Sequence, residues 1–446
     1  MTRVAYVCAD PGIPVFGTKG ASVHIQELVR AWRARGADVE VYAVRRGDDV
    51  PADLAGLPVH VVPVAKGEDP AAREVAQRRA AAELAAMVLE AAPDVVHERY
   101  SLFSTVLPTV RAAHSCTTVL EVNAPLIDEQ RTHRVLVDEA AAELALADQL
   151  AAADVVACVS EPVAAWVRQR AEALPDRRAV LSCHNGRPDD ARVTTEPHER
   201  AEAAVSGGAA ITSSPATGGP AVVVTPNGVN TDRVRAVTPD LSGDPVVVFV
   251  GTLKPWHGVE DLVRAAALAR VPWRLRLVGD GPQRAALEQL AAEHGVELEM
   301  VGAVAPEQVP AALEGASVAV APYPDSGGHY FSPLKVYEYG AAALPVVASR
   351  IGEIPTVVAD GHTGLLVPPS DPRALAAAID TLAADPATAR RMGAAARVRM
   401  ESRHSWAHVL DATLAPVAHH LTRVPAGDVA GRPDADRLTA EPAPVP

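Results

Sequence analysis

Ser332, Lys335 and Glu338 stand close together in DSGGHYFSPLKVYEYGAA (325–342), and their types and spacing could do chemistry. Ser332 and Pro333 read as the N-cap and first residue of a helix, so Lys335 and Glu338, three apart, share one face. A lysine there can neutralise a phosphate beside the positive end of the helix dipole. A carboxylate at Glu338 can accept two hydrogen bonds from vicinal hydroxyls such as a ribose diol. The plainer reading is an exposed Lys/Glu pair on a solvated face. Lys254 and His257, at a neighbouring strand end in VGTLKPWHG (250–258), weigh against it.

Similar strand-to-loop junctions recur. VGDGP (278–282) places Gly279 and Gly281 after a strand, and the first strand runs into DPGIPVFGTKGASVH (10–24), where Gly17 and Gly20 precede a helix starting near Ala21 or Ser22. A glycine-rich turn at a helix N-terminus offers free backbone amides to an anion. The spacing is neither G-x-G-x-x-G nor a Walker loop, so it does not support dinucleotide or triphosphate binding. A simple turn with Ser22 as N-cap explains the segment equally well.

The elements that must carry these junctions form two series. From Arg3 to about Thr225, short β-branched runs (VAYVCA, VEVYAV, VHVV, VVHE, TTVLEV, VVACVS, AVLSC, AVVVT) alternate with helical stretches at 21–35, 70–91, 129–152 and 161–173. A second series starts at Pro245: VVVFVG, WRLRLVG, LEMVG, SVAVAPY, PVVAS and GLLVP, with helices at 258–270, 282–294, 306–314, 333–343 and 371–384. Apolar strands separated by helices predict parallel sheets covered on both faces. Such sheets bind ligands at the carboxyl ends of their strands, so two of them predict a cleft between domains. Residues 186–220 lack any apolar period and read as a flexible insertion, and 425–446 as a disordered tail.

At 446 residues and 48% hydrophobic, the chain is long enough for two cores. A formal charge of −14 argues against nonspecific nucleic-acid or anionic-membrane binding. Cys8, Cys116, Cys158 and Cys183 show no metal-ligand spacing and read as buried small hydrophobes in a reducing compartment. With no signal-like start and no long apolar run, the expectation is a cytoplasmic protein.

Together GTKGASVH, TPNGVN (225–230), VGTLKPWHGVEDLVRA, LVGDGP, SPLKVYEYGAAALPVVAS and DGHTGLLVPPSD resemble the retaining glycosyltransferases of family 4, over about residues 1–185 and 221–410. The resemblance implies an α/β protein of two doubly wound Rossmann-like domains facing an interdomain cleft (GT-B). A nucleotide diphosphate sugar would be held mainly by the second domain, and an acceptor hydroxyl mainly by the first. Glu338 matches the second acid of the family's E-x7-E motif, the one that grips the ribose. Lys335 and the backbone around Ser332, Pro333 and Leu334 would face the diphosphate, with Gly20 on the opposite wall.

The chain departs from the family pattern at three places. Tyr330 stands where the first acid of E-x7-E belongs, so the sugar contact is missing or supplied by Asp325 or loop amides. The usual Arg/Lys phosphate pair reads Thr252 and His257, with Lys254 close by; Lys254 is the stronger candidate. Asn123, in LEVNAPL, replaces a first-domain His, and the H-x-H pattern reads His97-Glu98-Arg99. A family subgroup with ERYSLF, EVNAPL and SPLK looks similar.

On the acceptor side, Glu98, Arg99, Glu121, Asn123 and Glu129 follow two strand ends expected to face the cleft. Glu121 or Glu98 could orient or deprotonate the acceptor hydroxyl; pairing with Arg99 or Arg131 to fix a loop is the alternative. Retention would proceed by front-face displacement, with Lys254, Lys335 and the glycine loops stabilising the leaving diphosphate, without metal or other cofactor.

The expected division is 1–235 (acceptor side), 245–403 (nucleotide sugar) and a helix at 404–424 returning to the first domain. Rival readings on this scaffold are a nucleotide-sugar epimerase or hydrolase, and a silent sugar-nucleotide-binding protein. The base, sugar, acceptor, peripheral membrane contact and oligomeric state stay open.

Overall fold

The computed structural model describes residues 1–65, 69–172, 219–325 and 327–421. The expected tail, the strand AVLSC, Cys183 and nearly all of the 186–220 segment lie outside these. Strands β1 (Arg3–Cys8), β2 (Asp38–Ala43), β3 (Val59–Val61), β4 (Val95–Arg99), β5 (Thr117–Val122), β6 (Val155–Cys158) and β7 (Ala221–Val224) form one sheet. Its order is β3-β2-β1-β4-β5-β6-β7, and every pairing is parallel. Strands β8 (Val246–Val250), β9 (Arg274–Val278), β10 (Leu298–Gly302), β11 (Ala316–Ala321), β12 (Val346–Ser349) and β13 (Gly364–Val367) form a second parallel sheet, ordered β10-β9-β8-β11-β12-β13. These are two doubly wound, Rossmann-like units, as the alternation of apolar strands and helices predicts.

Each sheet is apolar on both faces because helices cover both. Val95 and Val119 belong to one cluster and Val96 and Leu120 to another, so neighbours in a strand pack in opposite directions. Strand order reverses between β1 and β4 and between β8 and β11, and the loops leaving these strands at their carboxyl ends are where such sheets take ligands. The Gly17–Gly20 loop follows β1, the 251–258 loop follows β8, and the stretch leading to Lys335 follows β11.

Several helices differ from the sequence expectation. The helix expected at 129–152 is two, Leu126–His133 and Glu139–Ala152, because Asp138 caps the second and Glu74 accepts hydrogen bonds from the amides of Val137 and Asp138 in the break. An unanticipated helix, Val106–Ala113, follows β4, and Pro386–Arg403 follows Asp385, whose carboxylate caps it. The stretch 306–314 holds a 3-10 turn, Pro306–Gln308, and one short helix, Val309–Ala312.

The chain crosses between sheets twice, side by side. Val229 N donates to His404 O at 2.8 Å, and a Cβ on Gly228 would lie 3.0 Å from Trp406 N, so glycine permits the close approach. Helix Trp406–Leu414 then packs Trp406, Leu410 and Leu414 with Tyr6, Ile25 and Trp32 of the first unit.

Candidate active site

Helix Leu334–Ala341 starts at the end of the loop leaving β11. Its N-cap is Pro333 rather than Ser332, and no side chain caps it. The Ser332 hydroxyl is engaged elsewhere, within 2.8 Å of Tyr337 Oη and accepting from Asn227 N at 3.1 Å. No side chain therefore occupies the positive end of this helix, though Val336 N turns back to Pro333 O at 3.1 Å.

Lys335 Nζ is buried there without a hydrogen-bond partner. It lies 4.1 Å from the Phe249 ring centre and 5.3 Å from that of Tyr323, and a Cβ on Gly251 would be 2.7 Å from it. Burial pushes this amine down to about 7, opposed by Glu338. A buried amine aimed at a strand-end backbone with no anion bonded to it is a site for one, which would restore its charge.

His257 is not a second cation. Its Nδ1 meets the Thr252 carbonyl, so Nδ1 carries the proton, and burial, then Lys335, push it down to about 4. Lys254 Nζ lies over the Trp256 ring at 4.5 Å, and Thr252 is exposed. Gly279 and Gly281 let two strand-end loops touch: a Cβ on Gly279 would fall 1.9 Å from Gly251 O, and one on Gly281 2.5 Å from Leu253 O. Backbone packing accounts for both.

Glu338 faces the crossing segment, not Lys335. Its Oε1 lies 3.5 Å from Arg233 Nη2, and burial raises its pKa against the pull of Arg233. Arg233 also lies 3.4 Å from Glu27 of helix Gly20–Ala34.

The opposite wall is the N-terminus of that helix. Its N-cap is Lys19, again without a side-chain cap, and a Cβ on Gly20 would stand 3.4 Å from Leu334 Cδ1. Two uncapped helix starts, one from each sheet, thus meet. Ser22 does not cap; its hydroxyl donates to Pro14 O at 2.6 Å. A Cβ on Gly17 would lie 2.7 Å from Pro14 Cγ and 2.8 Å from Ser22 Oγ, so glycine closes the loop.

On the first sheet, Glu121 gathers partners. Its carboxylate accepts from Arg99 Nη1 at 2.6 Å, from Tyr6 Oη at 3.1 Å and from Asn123 Nδ2, and lies 3.0 Å from His24 Nε2 and 3.5 Å from His97 Nε2. Burial raises its pKa, but His24 and Arg99 outweigh burial and hold it well below the carboxylate range. Glu121 is therefore an anion, unsuited to carry a proton near neutrality. From His24 the chain of contacts crosses to the second unit: His24 Nδ1 is 2.7 Å from Asn227 Oδ1, and Asn227 Nδ2 donates to Ser332 O.

Glu98 is not on the cleft. It is 0% exposed and points to the other sheet face, where it accepts from Leu107 N at 2.9 Å and from Ser104 Oγ at the start of helix Val106–Ala113. Strand alternation puts it opposite its neighbour Arg99. Burial pushes Glu98 up to about 7. Glu129 takes a hydrogen bond from Tyr330 Oη, and Ser160 Oγ donates to Tyr330 O, so this tyrosine binds the first unit. The Asp325 side chain is 71% exposed and lies 3.9 Å from His329 Nε2.

Sequence reasoning missed Tyr6, His24, Glu27, Asn227 and Arg233. His24 and Glu27 pair with the TPNGVN stretch 203 residues distant, Tyr6 reaches Glu121 115 residues away, and Arg233 meets Glu27 and Glu338, so no local spacing signals them. Among the described residues no group of three or more His, Cys, Asp or Glu could hold a metal ion, and no helix is long and apolar enough to cross a membrane.

Two such units with their switch-point loops facing across a cleft define the GT-B class of glycosyltransferases. The model described as "Glycosyltransferase Family 4" matches residues 18–186, and that described as "Glycosyl transferases group 1" matches 244–385. The chain thus matches one glycosyltransferase family model on each of its two units. It is 37% identical over 186 residues to alpha-maltose-1-phosphate synthase of Mycolicibacterium smegmatis, covering 38% of this chain and 46% of that one. The chain spans about half the length of the curated relatives it matches. Sucrose-phosphate synthase of Thermosynechococcus elongatus superposes with a TM-score of 0.66 at 22% identity, covering 95% of this chain and 100% of that one. HepE of Anabaena, solved with UDP and glucose, gives 0.60 at 16%, with the same coverage.

Proposed function

We propose that this protein transfers a sugar from a nucleotide diphosphate sugar to an acceptor hydroxyl, with retention at the anomeric carbon and without a metal. The observation that carries this reading is the unpartnered, buried Lys335 amine beside an uncapped helix start, with Gly20 on the opposite wall. A diphosphate placed there meets the Lys335 amine and two helix dipoles, beside the Phe249 and Tyr323 rings.

In the reaction the bond from the anomeric carbon to the departing phosphate oxygen breaks while the acceptor oxygen bonds to that carbon on the same face. The acceptor's proton passes to the departing phosphate oxygen. Lys335 stabilises the charge that develops on the diphosphate, an interaction that strengthens as the bond breaks. Glu338 accepts from the ribose diol. Glu121, held ionised by Arg99 and His24, orients the acceptor side and does not act as the proton carrier.

The experiment is turnover of UDP-, GDP- and ADP-sugars with and without a hydroxyl-acceptor panel, the product's anomeric configuration read by NMR, and EDTA added as control. Transfer with retention, dependent on acceptor and indifferent to EDTA, supports the proposal. Donor consumption without acceptor favours a hydrolase or epimerase, and an inverted product overturns the stereochemical assignment.

A further inference from the structure

Where the chain crosses between the sheets it carries one cation inward. Arg233 is 19% exposed at its side chain, and three segments surround its guanidinium. Nη1 donates to Pro306 O at 3.0 Å, Nε lies 3.4 Å from Glu27 Oε1, and Nη2 lies 3.5 Å from Glu338 Oε1. Glu27 is 1% exposed and also receives Arg30 Nη1 at 3.1 Å and Asn230 Nδ2 at 3.3 Å. One guanidinium thus stands between carboxylates delivered by helices of the two units, and its planar fork suits that task better than an ammonium.

Glu338 needs such a partner. A carboxyl group accepts both hydrogen bonds of a diol as an anion; protonated, it becomes a donor at one oxygen. Burial drives Glu338 toward the protonated form, Arg233 opposes this most, Glu27 adds to the upward push, and Lys335 opposes it least. Lys335 turns its Nζ to Gly251 instead, and the Tyr339 hydroxyl accepts from Val250 N at 2.7 Å.

We propose that Arg233 is a positioning residue for nucleotide recognition, fixing the Glu338 carboxylate as a hydrogen-bond acceptor for the ribose and tying it through Glu27 to the first unit. This rests on the reading of Glu338 as the ribose contact. It makes ribose recognition sensitive to how the two units sit together, because the cation that prepares Glu338 is itself held by both.

The test is calorimetric titration of UDP, ADP and GDP into the full chain, the nucleotide that binds then being paired with its 2′-deoxy counterpart across pH 5 to 8.5. The ratio of the two affinities isolates the ribose and cancels the phosphate contribution, Lys335 included. The wild-type preference for the ribonucleotide is expected to fall on acidification as Glu338 protonates. In Arg233→Gln the midpoint of that fall should lie at least about one pH unit higher, a tenfold change in proton affinity. In Arg233→Lys, which keeps the charge but not the fork, it should lie between the two.

An unshifted midpoint in Arg233→Gln overturns the role of Arg233 while leaving the ribose reading intact. Should that variant fail to fold by circular dichroism, Arg233→Lys decides on the same criterion. If Glu338→Gln leaves the wild-type preference unchanged, or none of the three nucleotides binds, the ribose reading fails and the proposal with it.

Discussion

Glu121, near the carboxyl end of a strand of the first sheet, and Lys335, in the first turn of a helix of the second unit, are both buried ionisable groups, yet their surroundings are opposite. Glu121 is met by Arg99, Tyr6, Asn123, His24 and His97. Lys335 Nζ meets two aromatic rings and no hydrogen-bond acceptor. A charge surrounded by its own partners is a finished piece of structure. A charge left without them costs stability until a ligand of opposite sign arrives, which is how a binding site differs from a structural network.

The largest effect is expected on the satisfied side. Glu121→Ala leaves Arg99 buried without its anion and should cost about 3–5 kcal/mol in urea unfolding. A loss under about 1 kcal/mol would show that the five contacts do not act as a network.

Lys335→Met should do the reverse, cutting turnover on the order of a hundredfold or more while leaving the melting temperature unchanged or higher. The pH dependence carries a sign. Lys335 has its folded pKa depressed from 10.5 to about 7, so between these values the unfolded chain binds the extra proton and stability rises with pH. Wild type should therefore gain stability relative to Lys335→Met as pH climbs from 7 to 10.

Glu98 sharpens the comparison within one sheet, as a buried carboxyl with hydrogen bonds but no cation. Its pKa is raised from 4.5 to about 7, so the native state holds the extra proton in that window and stability falls as pH rises through it. Glu98→Gln removes the titration and should gain on the order of 1–3 kcal/mol over wild type at pH 8 relative to pH 4.5. A constant difference across that range would contradict the assignment.

The smallest effect is expected for Tyr330→Phe, which deletes one hydrogen bond between the units, to Glu129. A stability change within about 1.5 kcal/mol in chemical denaturation fits a single neutral-to-charged contact at a half-buried site. A larger loss would mean that Tyr330 governs how the units dock.

What was legible in the sequence follows from the range of each signal. Strands such as VVVFV and TTVLEV are continuous apolar runs because both sheet faces are covered, so they stand out locally. Lys335 and Glu338 share one turn of one helix, and their motif is contiguous. The break at 134–138 depends on Glu74, and the partners of Glu121 come from two strands, a loop and a helix, so neither leaves a local trace. Glu98 and Glu121 look alike as acids at strand ends; only strand alternation in the folded sheet separates a helix-capping carboxyl from a cleft-side anion. Arg233 and Asn227 sit in a stretch whose glycine and asparagine signal a turn, while their function lies in what packs on either side.

The most direct measurement is calorimetric titration of the nucleoside diphosphate at pH 8 in buffers of different ionisation enthalpy, for wild type and Lys335→Met. With Lys335 at about 7 in the free protein, it is mostly neutral at pH 8, and a bound diphosphate should restore its charge. We expect uptake of about one proton per nucleotide by wild type, weaker binding with no uptake by Lys335→Met, and wild-type affinity that falls as pH rises above 7. Equal affinities with no proton uptake in either protein would contradict the placement of the diphosphate at Lys335.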